Sequence, residues 1–351
     1  MGVRTKINCI NKNSFLLNIL LLFLGGDDLP IMRIWRPEIY QGDKRKKHYF
    51  EGWYFKLIDK SRKTVIAIIP GISIGKNKLD SHSFIQYIDA VKGKTEYYWF
   101  PFEDFSADKK NFDLRIGPNY FSDHYIRIDL NNETTRIAGE LHFDKILKYP
   151  QSFFHPGIMG PFSFMPGMEC YHGIVNISHR IGGALYINDA EIDLTGGEGY
   201  IEKDWGKSFP ESWIWLQANH FDQSSASFMF SVVRIPWLGS SFTGLISFLK
   251  TENGFHNFST YNGSKIKHLK IDDHTVGVCI RKNGCTLKFT ATYGQGGILK
   301  APKNGLMKRE IEESITAEIA LRLADPKDHT IFEGTSRWVG MELSDAFNLQ
   351  V

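Results

Sequence analysis

Carboxyl groups set among tryptophans are the feature of this sequence best suited to chemistry. The stretch from Gly196 to Phe221 holds Glu198, Glu202, Asp204 and Glu211 together with Trp205, Trp213 and Trp215. A carboxyl group buried in an apolar site keeps its proton at neutral pH, and an indole face attracts a neighbouring cation. An acid beside indoles can therefore protonate a carbon and shelter the cation that forms. Asp204, next to Trp205, is the first candidate for that acid. Pairing with Lys203 or Lys207, or the capping of a turn, accounts for it equally well. Glu51 is the second candidate, because Glu51 and Trp53 share one face of a strand. Its alternative is an ion pair with Lys46 or Lys56. Glu198 and Glu202 are further acids in the same unit.

The elements that must position these groups are short strands. Trp213 to Phe221 reads as one, with Trp213, Trp215, Gln217 and Asn219 on one face and Ile214, Leu216, Ala218 and His220 on the other. Two indoles and two carboxamides suit the wall of an apolar pocket with a few placed hydrogen-bonding groups. A pocket walled by Trp53, Trp205, Trp213 and Trp215 is expected. His220, among apolar neighbours, reads as a core histidine. Glu169, Cys170, His172 and His179 lack zinc-site spacing, and Glu169 and His172 would fall on opposite faces of a strand, so no metal is expected. Gly196-Gly197-Glu198-Gly199 is not followed by the Gly-Lys-Ser/Thr of a phosphate loop, and the chain has no Gly-x-Ser-x-Gly elbow.

Three blocks carry a resemblance. Glu202-Lys203-Asp204-Trp205-Gly206, continued by Phe209-Pro210 and Trp213-Ile214-Trp215-Leu216-Gln217-Ala218-Asn219-His220-Phe221, resembles the signature of the tocopherol cyclase family. His48-Tyr49-Phe50-Glu51-Gly52-Trp53-Tyr54-Phe55-Lys56 resembles that family's N-terminal motif, and Pro166-Gly167-Met168-Glu169-Cys170-Tyr171-His172-Gly173 fits it as well. The resemblance runs from about Trp35 to the C-terminus. It implies a tandem lipocalin-like arrangement and an enzyme that closes a chromanol ring by adding a phenolic hydroxyl across a prenyl double bond. It implies no cofactor and an apolar prenylated small molecule as partner. Asp204 would be the proton donor, with Glu51 as the competing assignment. A lipocalin-like carrier of an isoprenoid or lipid is the alternative, and an isoprenoid hydratase a further one. A carrier needs no buried acid.

Composition narrows the class. The 351 residues carry 42 Lys and Arg against 39 Asp and Glu, a formal charge of +3, which argues against nucleic acid as a partner. The run Lys44 to Lys47 reads as a solvated turn, with a membrane-surface contact as the alternative. The four cysteines are too sparse for a disulfide framework and fit reduced thiols in a cytoplasmic setting. A Cys279–Cys285 bridge across a hairpin is the alternative to reduced thiols.

Strand-like runs recur along the chain: Phe50 to Ile58, Thr64 to Ile69 ended by Pro70-Gly71, Ser81 to Ile88, Thr95 to Phe102, His124 to Leu130 and Ile137 to Phe143. Lys148 to Met168 interrupts them with Pro150, Pro156, Pro161 and Pro166 among phenylalanines, a density of proline that central strands exclude. It reads as an interdomain crossing or a lid over an apolar pocket, or as a satellite core under a loop. Strands resume from Tyr171 and, after the tryptophan unit, continue to the end. Gly294 to Leu306 reads as a loop, and Ile315, Ala317, Ile319, Leu321 and Leu323 face inward together. The expected fold is all-β, two antiparallel barrels or sandwiches in tandem, divided as 32–190 and 191–351.

Residues 1–31 stand apart. Phe15 to Leu24 is apolar apart from Asn18, with Arg4, Lys6 and Lys12 ahead of it. It is short for a membrane span and has no small-x-small cleavage site before Asp27. A start at Met32, with the preceding residues dispensable, is the favoured reading, ahead of a membrane anchor and a signal peptide.

Overall fold

The computed structural model describes residues 30–90, 92–222, 225–237 and 240–349. The expectations for residues 1–29 lie outside them. Among the described residues the regular structure is strand and short 3-10 turns, with no helix long and apolar enough to cross a membrane.

The chain begins its first sheet with β1 (Tyr49–Ile58), β2 (Val65–Ile74), β3 (His82–Asp89) and β4 (Lys94–Pro101). Three short strands, β5 (Phe105–Ala107), β6 (Leu114–Ile116) and β7 (Asn119–Phe121), lead to β8 (Tyr125–Asn131) and β9 (Arg136–Leu147). The proline-rich passage follows, then β10 (Cys170–Ile187), β11 (Ala190–Asp193) and β12 (Glu198–Gly206). These pair antiparallel in the order β4-β3-β2-β1-β12-β10-β9-β8-β7-β6-β5, with β11 on β10. The second sheet takes β13 (Trp213–Ala218), β14 (Ser227–Trp237), β15 (Ser240–Thr251), β16 (Gly254–Ser259) and β17 (Lys265–Ile271). It is completed by β18 (Thr275–Lys282), β19 (Cys285–Thr292), β20 (Gly296–Lys303), β21 (Leu306–Ala324) and β22 (Thr330–Ser344). Its order is β16-β15-β14-β13-β22-β21-β19-β18-β17, with β20 on β21.

Each sheet wraps its own core, and a third apolar cluster lies between their outer faces. On β1 the alternate residues Tyr49, Trp53, Phe55 and Leu57 fill the first core, while Tyr54 and Ile58 join the middle cluster. On β13, Ile214, Leu216 and Ala218 enter the second core, and Trp213 and Trp215 the middle one. Burial on both faces is why these strands show no hydrophilic side.

Several sequence expectations change. β12 belongs to the first sheet, pairing with β1 from Phe50↔Gly206 to Ile58↔Glu198, so the change of sheet falls in 207–212 rather than at 191. Pro70 lies inside β2, at the point where the β1 ladder skips from Gly52↔Gly71 to Phe55↔Ile68, while the β3 ladder continues past it with Pro70 opposite Ile85. A register shift between Ser314 and Ala317 turns β21 over. Ile315 therefore faces the middle cluster, while Ala317, Ile319, Leu321 and Leu323 face the second core. Cys279 and Cys285 are free thiols; their strand partners are Lys288 and Lys282.

Residues 296–303, expected as loop, are strand β20, which turns into β21 through Asn304-Gly305. Both turn residues have positive φ, 53° and 79°, the geometry of a tight hairpin. The turn docks on the first sheet. The Ser73 hydroxyl donates to the Gly305 carbonyl at 2.7 Å, and the Gly305 N–H donates to the Lys207 carbonyl at 2.7 Å. A Cβ on Gly305 would stand 2.3 Å from the Ile74 oxygen and 2.4 Å from the Tyr49 nitrogen. Gly305→Ala is expected to cost about 1–3 kcal/mol from the turn geometry alone, measured as a fall in the urea midpoint.

Candidate functional site

A cavity of about 210 Å³ opens between the outer faces of the two sheets. Its wall is largely apolar: Phe50, Tyr54, Phe84, Met159, Phe162 and Trp213 are among the lining residues. The proline-rich passage supplies Met159, Phe162 and Met168, which places it over the apolar pocket. Set into this wall are His172, Glu202, Asp204, Glu313 and Glu342.

Strand alternation delivers the group. On β12, Tyr200, Glu202 and Asp204 point to the cavity side, while Ile201 and Trp205 pack on the first core. β10 places His172 opposite Asp204, and β1 places Tyr54 opposite Glu202. In the second sheet Glu313 of β21 stands opposite Glu342 of β22, and Glu342 opposite Trp215 of β13. Packing the two outer faces together brings these positions into one space.

The hydrogen bonds are specific. His172 Nδ1 lies 2.9 Å from Asp204 Oδ1, and its Nε2 lies 3.5 Å from Glu202 Oε2. Glu202 Oε2 also accepts from the Tyr200 hydroxyl at 2.6 Å and the Trp215 Nε1–H at 3.3 Å. The Tyr54 hydroxyl donates to Glu313 Oε1 at 2.6 Å, and the Trp213 Nε1–H to Glu342 Oε2 at 2.6 Å.

Burial and crowding set the protonation of these groups. Burial, with the nearby Asp204 adding to it and His172 opposing it, moves Glu202 up to about 7. Burial, with Glu202 adding to it, moves Glu313 up to about 8. Glu342 is raised by burial, then by Glu313, against the Trp213 hydrogen bond. Burial alone would hold His172 neutral, but the carboxylates of Asp204 and Glu202 outweigh it and lift it to about 9. Asp204 and Glu202 thus share the His172 imidazolium, and neighbouring carboxyls in a dry site retain protons. Lys56 lies deeper between the sheets, where burial lowers it to about 7; its ammonium donates to Gln217 Oε1 at 2.9 Å and to the Trp338 carbonyl.

The sequence candidates divide. Asp204, Trp213 and Trp215 line the cavity. Asp204 is held by His172 rather than by Lys203 or Lys207. Glu51 and Trp53 do share a face, but it is the interior of the first sheet. There Glu51 Oε1 accepts from Lys203 Nζ at 2.6 Å, and its Oε2 from the Gly42 N–H at 3.0 Å and the Tyr49 hydroxyl at 2.5 Å. Trp53 stacks on Phe112 and donates to the Glu38 carbonyl at 2.8 Å. Trp205 stacks on Tyr171, with a ring centroid 4.8 Å from the Lys203 ammonium. Gln217 is bound to Lys56, and Asn219 donates to the Gly199 carbonyl at 3.3 Å. Glu51, Trp53 and Trp205 support the cavity strands from the interior of the first sheet, Gln217 and Asn219 join the two sheets beyond the cavity, and none of the five lines it.

His172, Glu313 and Glu342 were not singled out as acids or their partners by sequence. Glu313 and Glu342 sit in strands whose outer face normally meets solvent, and only the docking of the other sheet buries them. One signal was present: Ile311-x-Glu313-x-Ile315 puts Glu313 on an apolar face. His172, Glu202 and Asp204 keep ligand atoms within 4.8 Å of one another, close enough for a cation. The same atoms are engaged with each other, with Tyr200 and with Trp215, so a cation would have to break that network.

No curated protein sequence matches the chain significantly. Solved structures share its fold. An AttH-type protein of Nitrosomonas europaea aligns with a TM-score of 0.50 and 12% identity over 84% of this chain and 92% of that one. CghA aligns with a TM-score of 0.56 and 11% identity over 85% and 89%, and its structure with Sch210972 with 0.54 and 13% over the same shares. The all-β, lipocalin-like architecture in two parts is thereby shared. The model of the tocopherol cyclase-like family matches residues 146–344, more than half of the chain and the whole tryptophan unit. The chain belongs to the tocopherol cyclase-like family.

Proposed function

We propose that this chain is an enzyme that closes a chromanol-type ring on a prenylated quinol, with no metal or redox cofactor. The observation that carries this reading is the set of carboxyls, Glu202, Asp204, Glu313 and Glu342, in the wall of an otherwise apolar cavity beside Trp213 and Trp215. Burying carboxyls is costly, and a carrier of an apolar ligand has no use for them.

Glu342 is the proton donor in this scheme. Its Oε2 accepts the Trp213 N–H, which leaves Oε1 to carry the acidic proton. That proton passes to the less substituted alkene carbon, and the alkene electron pair forms the new C–H bond. The other alkene carbon becomes a tertiary cation beside the indoles, whose faces stabilise it by about 2 kcal/mol when desolvated. The phenolic oxygen closes on the cation and releases its proton, which restores the acid. Asp204, fixed by His172, accepts a hydrogen bond from the quinol and orients it. The role first given to Asp204 thus moves to Glu342, because Asp204 is already committed to the imidazole.

Incubation with a prenylated quinol is expected to give a chromanol of unchanged mass, at a rate that EDTA does not alter. A product heavier by one water would support the hydratase reading, and bound but unchanged quinol the carrier. Binding itself is read from tryptophan fluorescence. The quinol should quench it, and Trp213→Leu should remove much of the quench while Trp53→Phe leaves it intact. An equal quench in Trp213→Leu would move the ligand out of this cavity.

A further inference from the structure

We propose that the loop between β9 and β10 is a membrane-docking surface that seats the mouth of the cavity on a lipid bilayer. The inference rests on the reading of the cavity as a site for an apolar ligand, but its test does not depend on any reaction. Phe153, Phe154 and Phe164 on this loop are 39%, 67% and 39% exposed, an uncommon density of large apolar side chains facing out. They form one patch with Trp35. The Trp35 ring lies 6.0 Å from Phe153 and 5.4 Å from Phe164, and Phe153 lies 4.9 Å from Phe154. The patch is held in place: the Trp35 Nε1–H donates to the Ser152 carbonyl at 3.1 Å, and Gln151 Nε2 donates to the Trp35 carbonyl at 2.9 Å. Tryptophan and phenylalanine are the residues that settle at the boundary of headgroups and acyl chains.

Two further observations select a bilayer as the occupant. First, the other side of this loop is the cavity wall. Phe162 and Met168 line the cavity, and Phe164 between them points outward into the patch. A ligand leaving a bilayer at the patch would meet the cavity directly behind it. Second, the described structure begins at Pro30, five residues before Trp35. The apolar stretch Phe15 to Leu24 precedes it, with Arg4, Lys6 and Lys12 ahead of that stretch. That stretch is short for a membrane span, and its basic flank favours anionic lipid. Stable membrane attachment commonly needs two such signals together.

The test uses the full chain and vesicles of phosphatidylcholine containing a minority of phosphatidylglycerol. The wild type should float with the vesicles. The triple variant Phe153→Ser, Phe154→Ser, Phe164→Ser should lose roughly tenfold or more in vesicle affinity while keeping its near-ultraviolet circular dichroism. Vesicles carrying brominated acyl chains should quench the wild type, and Trp35→Phe should remove that quench. Should the triple variant fail to fold, Phe154→Ser alone carries the test, since Phe154 is the most exposed of the three and its replacement should still weaken flotation. Flotation unchanged in the folded variants would overturn the proposal, even if Leu21→Asp abolished flotation. So would a wild type that does not float, whether because the apolar stretch folds back on the patch or because two copies pair through it. Sedimentation velocity would show the pairing.

Discussion

Glu342→Gln is expected to lower kcat on a prenylated quinol by roughly 10²–10⁴-fold, the usual contribution of a positioned general acid. Glutamine keeps the shape of the side chain and can still accept the Trp213 N–H, the 2.6 Å bond that fixes the carboxyl. Fold and quinol binding should therefore survive, and the loss should fall on kcat rather than KM. Asp204→Asn should behave differently. In the proposed scheme it weakens a hydrogen bond to the quinol and leaves Glu342 in place, so its main effect should be on KM. The rate profile should fall on the alkaline side, because the acid acts only while protonated. Burial and the neighbouring Glu313 raise Glu342, and Glu313 itself is raised to about 8, so the cluster holds protons through neutral pH and releases them above it. The limb belongs to the coupled carboxyls as a set. Equal losses of kcat in Glu342→Gln and Asp204→Asn would return the donor role to Asp204.

Lys203→Met is expected to destabilise the protein by about 3–5 kcal/mol, the usual result of removing one partner of a buried ion pair. Lys203 and Glu51 are both fully buried and 2.6 Å apart. The ammonium also donates to the Ile39 carbonyl and sits 4.8 Å from the ring centroids of Trp53 and Trp205. Methionine fills similar space but leaves the Glu51 carboxylate without its counter-ion inside the first core. The fall would appear in the urea midpoint. Glu51→Gln should also lose stability, yet the folded fraction should turn over at the wild-type rate, since Glu51 faces away from the cavity. Normal stability in Lys203→Met would mean that the pair contributes nothing net to the first sheet.

Local pattern carried much of the fold. The alternation of β13 was legible because Trp213, Trp215 and Gln217 differ in chemistry from Ile214, Leu216 and Ala218. The sharing of one face by Glu51 and Trp53 was legible too, but not which face it was. Period-two alternation identifies two faces without saying which meets a cavity and which a barrel interior. In β1 both are buried, so polarity gives no clue. The same limit hid the acids. Glu313 and Glu342 become site residues only when a second sheet covers them, a fact of docking that no stretch of sequence encodes locally. The family motif located β12 and β13 but not their partners across the cavity. Residues 296–303 were misplaced for a different reason. The reading of Gly294 to Leu306 as loop passed over Asn304-Gly305, a hairpin signal.

The proton donor is tested most directly by a single turnover of a prenylated quinol in deuterated water, with the chromanol analysed by mass spectrometry and NMR. Wild-type protein should place one deuterium on the carbon adjacent to the new C–O bond, and Glu342→Gln, folded and still binding the quinol, should give none in the same time. A deuterated chromanol formed at the wild-type rate by Glu342→Gln, or bound quinol that never becomes chromanol in the wild type, would contradict the account.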